Sequence, residues 1–181
     1  MLFITKKKAI GRINDDYDLL NPDFNVFCIN YESLHKLGDV RFDFIIIDEA
    51  HNLGAFPKVG KRHKQVSQIV KQSKGCKIVL LSGTPTPETF SQIYHQLNFI
   101  PNNPFAEYSN FYKWAKVFVN VGHKYIGSMQ VKDYTDAKAD AILNKIAPYM
   151  ISYTQQQAGF KAKVKEHFIT CKMQPITGKL I

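Results

Sequence analysis

Two short runs of the chain end in residues able to do chemistry. The first, Phe44-Ile45-Ile46-Ile47, stops abruptly at Asp48-Glu49-Ala50-His51. Adjacent carboxylates of this kind suit a divalent cation and a water, with the short Asp48 placed to hold the cation and Glu49 able to reach a water beside it. The second run, Ile78-Val79-Leu80-Leu81, stops at Ser82-Gly83-Thr84-Pro85, a small hydroxyl-rich loop. Alone, Asp-Glu-Ala-His is also an ordinary strand end with solvated charges, because four-residue patterns arise by chance. The second run decides for a site, since ordered motifs in matching contexts are far more specific than one pattern.

These tips need rigid elements behind them. Three β-branched isoleucines in succession have no helical period and read as a strand buried on both faces of a parallel sheet. Ligands gather at the carboxyl ends of such strands, so the two tips are expected side by side. The pattern predicts strands at Leu2–Thr5, Asn25–Asn30, Phe44–Asp48 and Lys77–Ser82. Between them, Lys6-Lys7-Lys8 open a helix with Ile10, Ile13, Tyr17 and Leu20 on one face, closing near Asn21-Pro22. Asn30 caps a helix over Tyr31–Leu37 that Gly38 stops. A later helix turns Val66, Ile69 and Val70 inward and Lys64, Lys71 and Lys74 outward before Gly75.

Thr86-Pro87-Glu88 opens the next helix, with Phe90, Ile93, Tyr94 and Leu97 on one face. Ser109 caps a helix carrying Phe111, Trp114 and Phe118, a stripe whose helical spacing favours core packing over base stacking. A β-hairpin around Gly127 is expected between His123 and Val131. Thr135 caps a helix with Ala141, Ile142 and Ile146, and a last strand is expected near Val164–Cys171 with lysines on its solvated side.

A chain of 181 residues, 45% hydrophobic, fits one compact domain of ordinary size. It has neither a membrane-length apolar stretch nor a signal-peptide layout, so a cytoplasmic location is expected, that of the host if the protein is viral. Cys28, Cys76 and Cys171 are far apart and read as reduced thiols, and the scattered histidines give no zinc spacing. The net charge of +9 favours a polyanion such as nucleic acid over a purely solubilising role. Lysines at a helix start oppose the macrodipole, a local cost that suggests a phosphate partner at that tip, although lysines simply pointing into water are equally common. The stretch from Asn52 to Arg62 mimics a phosphate-binding loop only superficially. Gly54 and Gly60 are separated by five residues, and Lys61 is followed by Arg62 rather than Ser or Thr.

Read in order, Asp48-Glu49-Ala50-His51, Ser82-Gly83-Thr84-Pro85, Asn30-Tyr31-Glu32-Ser33-Leu34 and Ile146-Ala147-Pro148-Tyr149-Met150 carry a family resemblance. The sequence resembles the superfamily-two helicases and translocases, most closely the Swi/Snf-like branch and its phage relatives. The resemblance covers nearly the whole chain but only the later part of the first motor domain. It implies a three-layer α/β RecA-like domain with a mainly parallel sheet that lacks its P-loop strand. Residues 1–122 would be the C-terminal part of that domain, and residues 123–181 a helical extension leading toward an absent second RecA-like domain.

The same resemblance implies ATP and Mg2+ in the completed motor. Asp48 would hold the magnesium through its water shell, Glu49 would orient and deprotonate the attacking water, and His51 would couple them to motif III. Ser82, Gly83 and Thr84 would relay nucleotide state. Thr5 and Lys6 at motif Ia, with Asn30, Tyr31 and Ser33 at motif Ib, would touch the sugar-phosphate backbone of DNA, although Asn30 and Ser33 also suit plain helix capping.

No Gly-x-x-x-x-Gly-Lys-Ser/Thr occurs in the sequence, and no second domain supplies an arginine finger. The expectation is therefore a fragment or split subunit of an ATP-dependent DNA helicase or translocase, silent toward ATP by itself and completed by a second polypeptide carrying the P-loop and the second RecA-like domain. A decayed remnant and a non-enzymatic nucleic-acid-binding module are the alternatives, and the intact Glu49 favours the first. A sheet lacking that strand is expected to leave an apolar face or edge open.

Overall fold

The computed structural model describes residues 1–153 and 157–159. Four short parallel strands, β1 (Leu2–Thr5), β2 (Phe27–Asn30), β3 (Phe44–Ile47) and β4 (Lys77–Leu80), form one sheet in the order β2-β1-β3-β4. Ile4 lies opposite Ile29 on one side and Ile47 on the other, and Ile47 lies opposite Leu80. The helices are α1 (Ile10–Leu20), α2 (Lys61–Gln72), α3 (Gln92–Leu97), α4 (Phe111–Phe118) and α5 (Ala139–Ile146). An antiparallel hairpin, β5 (Gly122–Ile126) and β6 (Met129–Asp133), turns at Gly127 with φ +60°. This is an α/β arrangement consistent with part of a RecA-like domain. Met1–Tyr149 make one compact unit, and Met150 opens a second. Among the described residues no helix is long and apolar enough to cross a membrane.

One face of the sheet is packed except at its β2 edge, where Phe27 is 51% exposed. Leu2, Ile4, Ile29, Ile45 and Ile47 meet Val66, Ile69 and Val70 of α2, with Tyr31, Leu34 and Leu53 closing the core. The other face departs from the expected double burial: Phe44 and Ile46 are half-buried, and Val79 is 37% exposed. Handedness explains the asymmetry. The crossovers β1 to β2 and β3 to β4 run in opposite directions across the sheet, so right-handed connections put α1 and α2 on opposite faces. Helix α1 packs along β2 at one edge, which leaves the β3–β4 half of its face thinly covered.

A second core gathers Ile93, Tyr94, Phe105, Phe111, Trp114, Phe118, Ile142 and Ile146. Phe111, Trp114 and Phe118 all lie in it, as core packing requires. Gly54 sits where this half meets the loop after β3. A Cβ there would stand 2.9 Å from the Gln92 backbone oxygen, so the glycine is needed for close approach rather than for phosphate.

Several local expectations are corrected. A 3-10 turn over Lys7–Ala9 precedes α1, and α1 buries no residue, with Leu20 75% exposed. Tyr31–Lys36 is a 3-10 helix that ends before Gly38. The segment Thr86–Glu88 is not helical. There the Gln92 carboxamide oxygen accepts the Glu88 and Thr89 N–H groups and holds a turn, and α3 follows. Helix α3 is buried nearly all round, including Gln92, His95 and Gln96. Asn110 rather than Ser109 caps α4, accepting from Lys113 N–H. Thr135 bonds Asp133 instead of capping α5, and Ala141 is exposed. Cys28 and Cys76 are free thiols. The strand expected near Val164–Cys171 lies outside the described residues.

Candidate functional site

The carboxyl ends of β1, β3 and β4 meet. Asp48 N–H donates to Ile4 O at 2.8 Å, Leu81 N–H to Ile47 O at 2.8 Å, and Ala50 N–H to Leu81 O at 2.9 Å. The turn carrying both acids is thereby zipped to a strand on either side, and its position is a property of the sheet rather than of a free loop.

Asp48 is oriented from three directions. The buried Thr5 hydroxyl donates to its Oδ2 at 2.6 Å, Glu49 N–H donates to its Oδ1 at 2.9 Å, and the Tyr31 hydroxyl donates to its main-chain oxygen at 2.6 Å. Burial, and then the negative charge of Asp48, push the Tyr31 phenol well above its ordinary range, so it stays a donor. Glu49 adopts φ +52°, a left-handed conformation that costs a non-glycine residue about 1 kcal/mol or more. Both the N–H and the side-chain amide of Asn52 donate to Glu49 O at 2.9 Å and hold that turn.

The Glu49 side chain lies 2.6 Å from Lys6 Nζ through Oε1, and its Oε2 is 3.4 Å from His51 Nδ1. His51 Nδ1 is also 2.9 Å from Ser82 Oγ, which in turn accepts Thr84 N–H at 3.2 Å. Thr5, Lys6, Asp48, Glu49, His51 and Ser82 therefore form one contiguous polar chain across three strand tips. The loop atoms of Gly83 and Thr84 sit exposed at its end. Asn30 and Ser33 are not part of that chain: the Asn30 carboxamide caps its own helix by accepting Ser33 N–H at 2.8 Å, and both residues are half-buried.

Sequence reasoning missed Arg62. Its guanidinium donates to Glu32 at 2.7 Å and to Asn52 at 2.8 Å, and it lies 5.4 Å from the centre of the Tyr31 ring. It thus joins the first turn of α2 to the helix after β2 and to the Glu49 turn. One signal pointed to it: Lys61 and Arg62 begin a helix that has no acid in its first turn, the same breach of macrodipole preference seen at Lys6.

Among the described residues no three His, Cys, Asp or Glu side chains cluster closely enough to hold a metal by themselves. A lone carboxylate with adjacent hydroxyls suits Mg2+, which keeps most of its waters and takes one or two carboxylates plus substrate phosphates. Asp48, with the Thr5 hydroxyl 2.6 Å from its Oδ2, fits that pattern and would not fit zinc.

The family model described as the SNF2-related domain matches residues 6–180. The chain belongs to the SNF2-related domain family. Over 100 residues it is 27% identical to the ISWI chromatin-remodeling complex ATPase ISW1 of Saccharomyces cerevisiae, a match covering 53% of this chain and 8% of the yeast protein. It is 24% identical over 172 residues to a probable ATP-dependent helicase of Plasmodium falciparum, covering 92% of this chain and 8% of that protein. It is 29% identical over 109 residues to transcription termination factor 2 of Drosophila melanogaster, covering 60% of this chain and 10% of that protein. This SNF2-related chain spans between 8% and 10% of the length of these relatives.

Proposed function

We propose that this SNF2-related chain supplies the magnesium and water-activating half of an ATP-driven DNA translocase. In this reading Asp48 would hold Mg2+, Glu49 would position the attacking water, and His51 and Ser82 would pass the state of that site into the loop Ser82–Thr84. The observation that carries it is the joined network of Thr5, Asp48, Glu49, His51 and Ser82 on neighbouring strand tips. Bound Mg2+ would neutralise charge on the ATP phosphates. Lys6 pairs with Glu49 at 2.6 Å and is itself exposed, so a nucleic-acid phosphate competing for Lys6 would free the Glu49 carboxylate. Thr5, Asn30, Tyr31 and Ser33 complete the proposed backbone-contacting edge.

The phosphate-cradling loop would come from a separate β–α unit, on a second polypeptide or elsewhere in the protein. Two features support this. Among the described residues β4 pairs only with β3, so its outer edge is free for a strand. A strand there leading into β1 crosses the sheet in the same direction as β1 to β2, and a right-handed connection would lay its helix over the thinly covered Val79 side. We assign residues 1–122 to the motor domain and 123–181 to an extension toward a second one.

Reconstitution tests the reading. The chain mixed with a P-loop-bearing fragment of a relative should release phosphate from ATP, and Glu49→Gln should abolish that release while leaving ATP binding intact. Salt-sensitive DNA binding with no phosphate release in any mixture would instead favour a non-enzymatic binding module.

A further inference from the structure

The β5–β6 hairpin has two chemically different faces. Strand β5 is exposed along its whole length. Directly opposed residues of an antiparallel pair share a face, and the register sets His123 against Lys132 and Tyr125 against Gln130. The alternate positions pair Lys124 with Val131 and Ile126 with Met129. On that second face the one cation is answered internally, by Asp133 at 3.3 Å from Lys124, and Val131 is half-buried. The first face holds no acid. His123, Tyr125, Gln130 and Lys132 are all exposed there, Tyr125 by 72%, and none has a hydrogen-bond or ion-pair partner among the described residues.

An unshielded ring flanked by an ammonium, an imidazole and a carboxamide matches one kind of ligand. Single-stranded nucleic acid offers bases that stack on an aromatic ring and phosphates that attract cations. A base paired inside a duplex cannot lie on so narrow a platform, and a protein partner would be drawn to the apolar Ile126–Met129 side instead. The base of the hairpin is also fixed. The Thr89 hydroxyl donates to Thr135 O at 2.6 Å, and the Ser91 hydroxyl donates to Tyr134 O. Both donors lie on the segment that leads away from the Ser82–Thr84 loop.

We propose that the His123, Tyr125, Gln130 and Lys132 face is a stacking platform for single-stranded nucleic acid, distinct from the Thr5–Lys6 edge. The proposal rests on the nucleic-acid reading given above. The test is fluorescence anisotropy of the full chain with a labelled oligothymidine, at several salt concentrations and without nucleotide. Tyr125→Ala should weaken binding by about tenfold, the scale of one lost stacking contact, while Tyr125→Phe keeps the affinity. Lys132→Gln should make the salt dependence shallower by about one phosphate contact.

Tyr125→Ala binding like the parent, while Lys6→Ala is weakened, overturns the platform and leaves the nucleic-acid reading standing. Failure of the parent chain to bind any oligonucleotide overturns both. A change in sedimentation of Tyr125→Ala with unchanged oligonucleotide affinity would assign the face to protein association and overturn the platform as well.

Discussion

At the residue scale, the donors around Asp48 fix its direction before any ligand arrives. Thr5 and the Glu49 N–H each take one carboxylate oxygen, and Tyr31 takes the main-chain oxygen from below. Tyr31→Phe removes only that last hydroxyl and leaves a partly buried carbonyl without its donor. The expected loss is about 1–3 kcal/mol, the usual cost of an unsatisfied buried group, read as a lower unfolding midpoint in denaturant. The Lys6–Glu49 pair is a different matter, because Lys6 is largely exposed and such pairs add little stability. Lys6→Ala should therefore leave thermal stability nearly unchanged and lower DNA affinity about equally for all sequences, with a shallower salt slope. A loss confined to one DNA sequence would contradict a phosphate contact.

At the element scale, α2 and α3 are locked through two buried imidazoles. His63 Nε2–H donates to the Asn98 oxygen at 2.8 Å, the Asn98 amide donates to His95 Nδ1 at 3.4 Å, and His95 Nε2–H donates to Pro57 O at 3.1 Å. This chain of donors requires His95 to be neutral, because its Nδ1 accepts, and His63 Nδ1 is buried with no acceptor to meet a second proton. Burial is the main cause that lowers both pKa values below 6.5. The charge of Lys71 adds to it at His63, and His63 adds to it at His95. In the unfolded chain both rings gain protons below about pH 6.5, whereas the folded chain resists. Stability is thus full above that pH and falls as the pH drops through it. Thermal unfolding at pH 7.5 and 5.5 should show a lower midpoint at the acidic value, and His63→Leu should flatten the difference. A midpoint indifferent to pH would mean the rings carry no such linkage.

At the scale of the whole molecule, the sheet is covered on one face apart from Phe27 at the β2 edge and thinly covered on part of the other. Val79 is 37% exposed and Leu81 42% exposed beside the outer edge of β4, which among the described residues pairs with no further strand. Edges and apolar patches of this kind recruit other chains. Sedimentation velocity should show association that grows with protein concentration, and Val79→Lys combined with Leu81→Ser should suppress it. A P-loop-bearing fragment that docks on this side should suppress it too, which links the association to the proposed completion of the motor. A chain that stays monomeric at high concentration would contradict this account of the open face.

The sequence alone determined the strands, their parallel arrangement and the acids at their tips. Runs such as Phe44–Ile47 have one stable use, and a sharp change from apolar to acidic marks where a strand ends. It also determined that Phe111, Trp114 and Phe118 share a core, because their spacing follows the helical period. The tertiary structure alone decided what those elements meet. Arg62 reaches Tyr31 and Asn52, and His63 and His95 join through Asn98, across separations that no local period encodes. The missing strand led to the expectation of an open apolar face or edge, but nothing in β3 and β4 said that the open part would be the Val79–Leu81 side. An apolar side chain records that it can be buried, whereas crossover handedness and the packing of α1 along β2 decide whether anything lies over it.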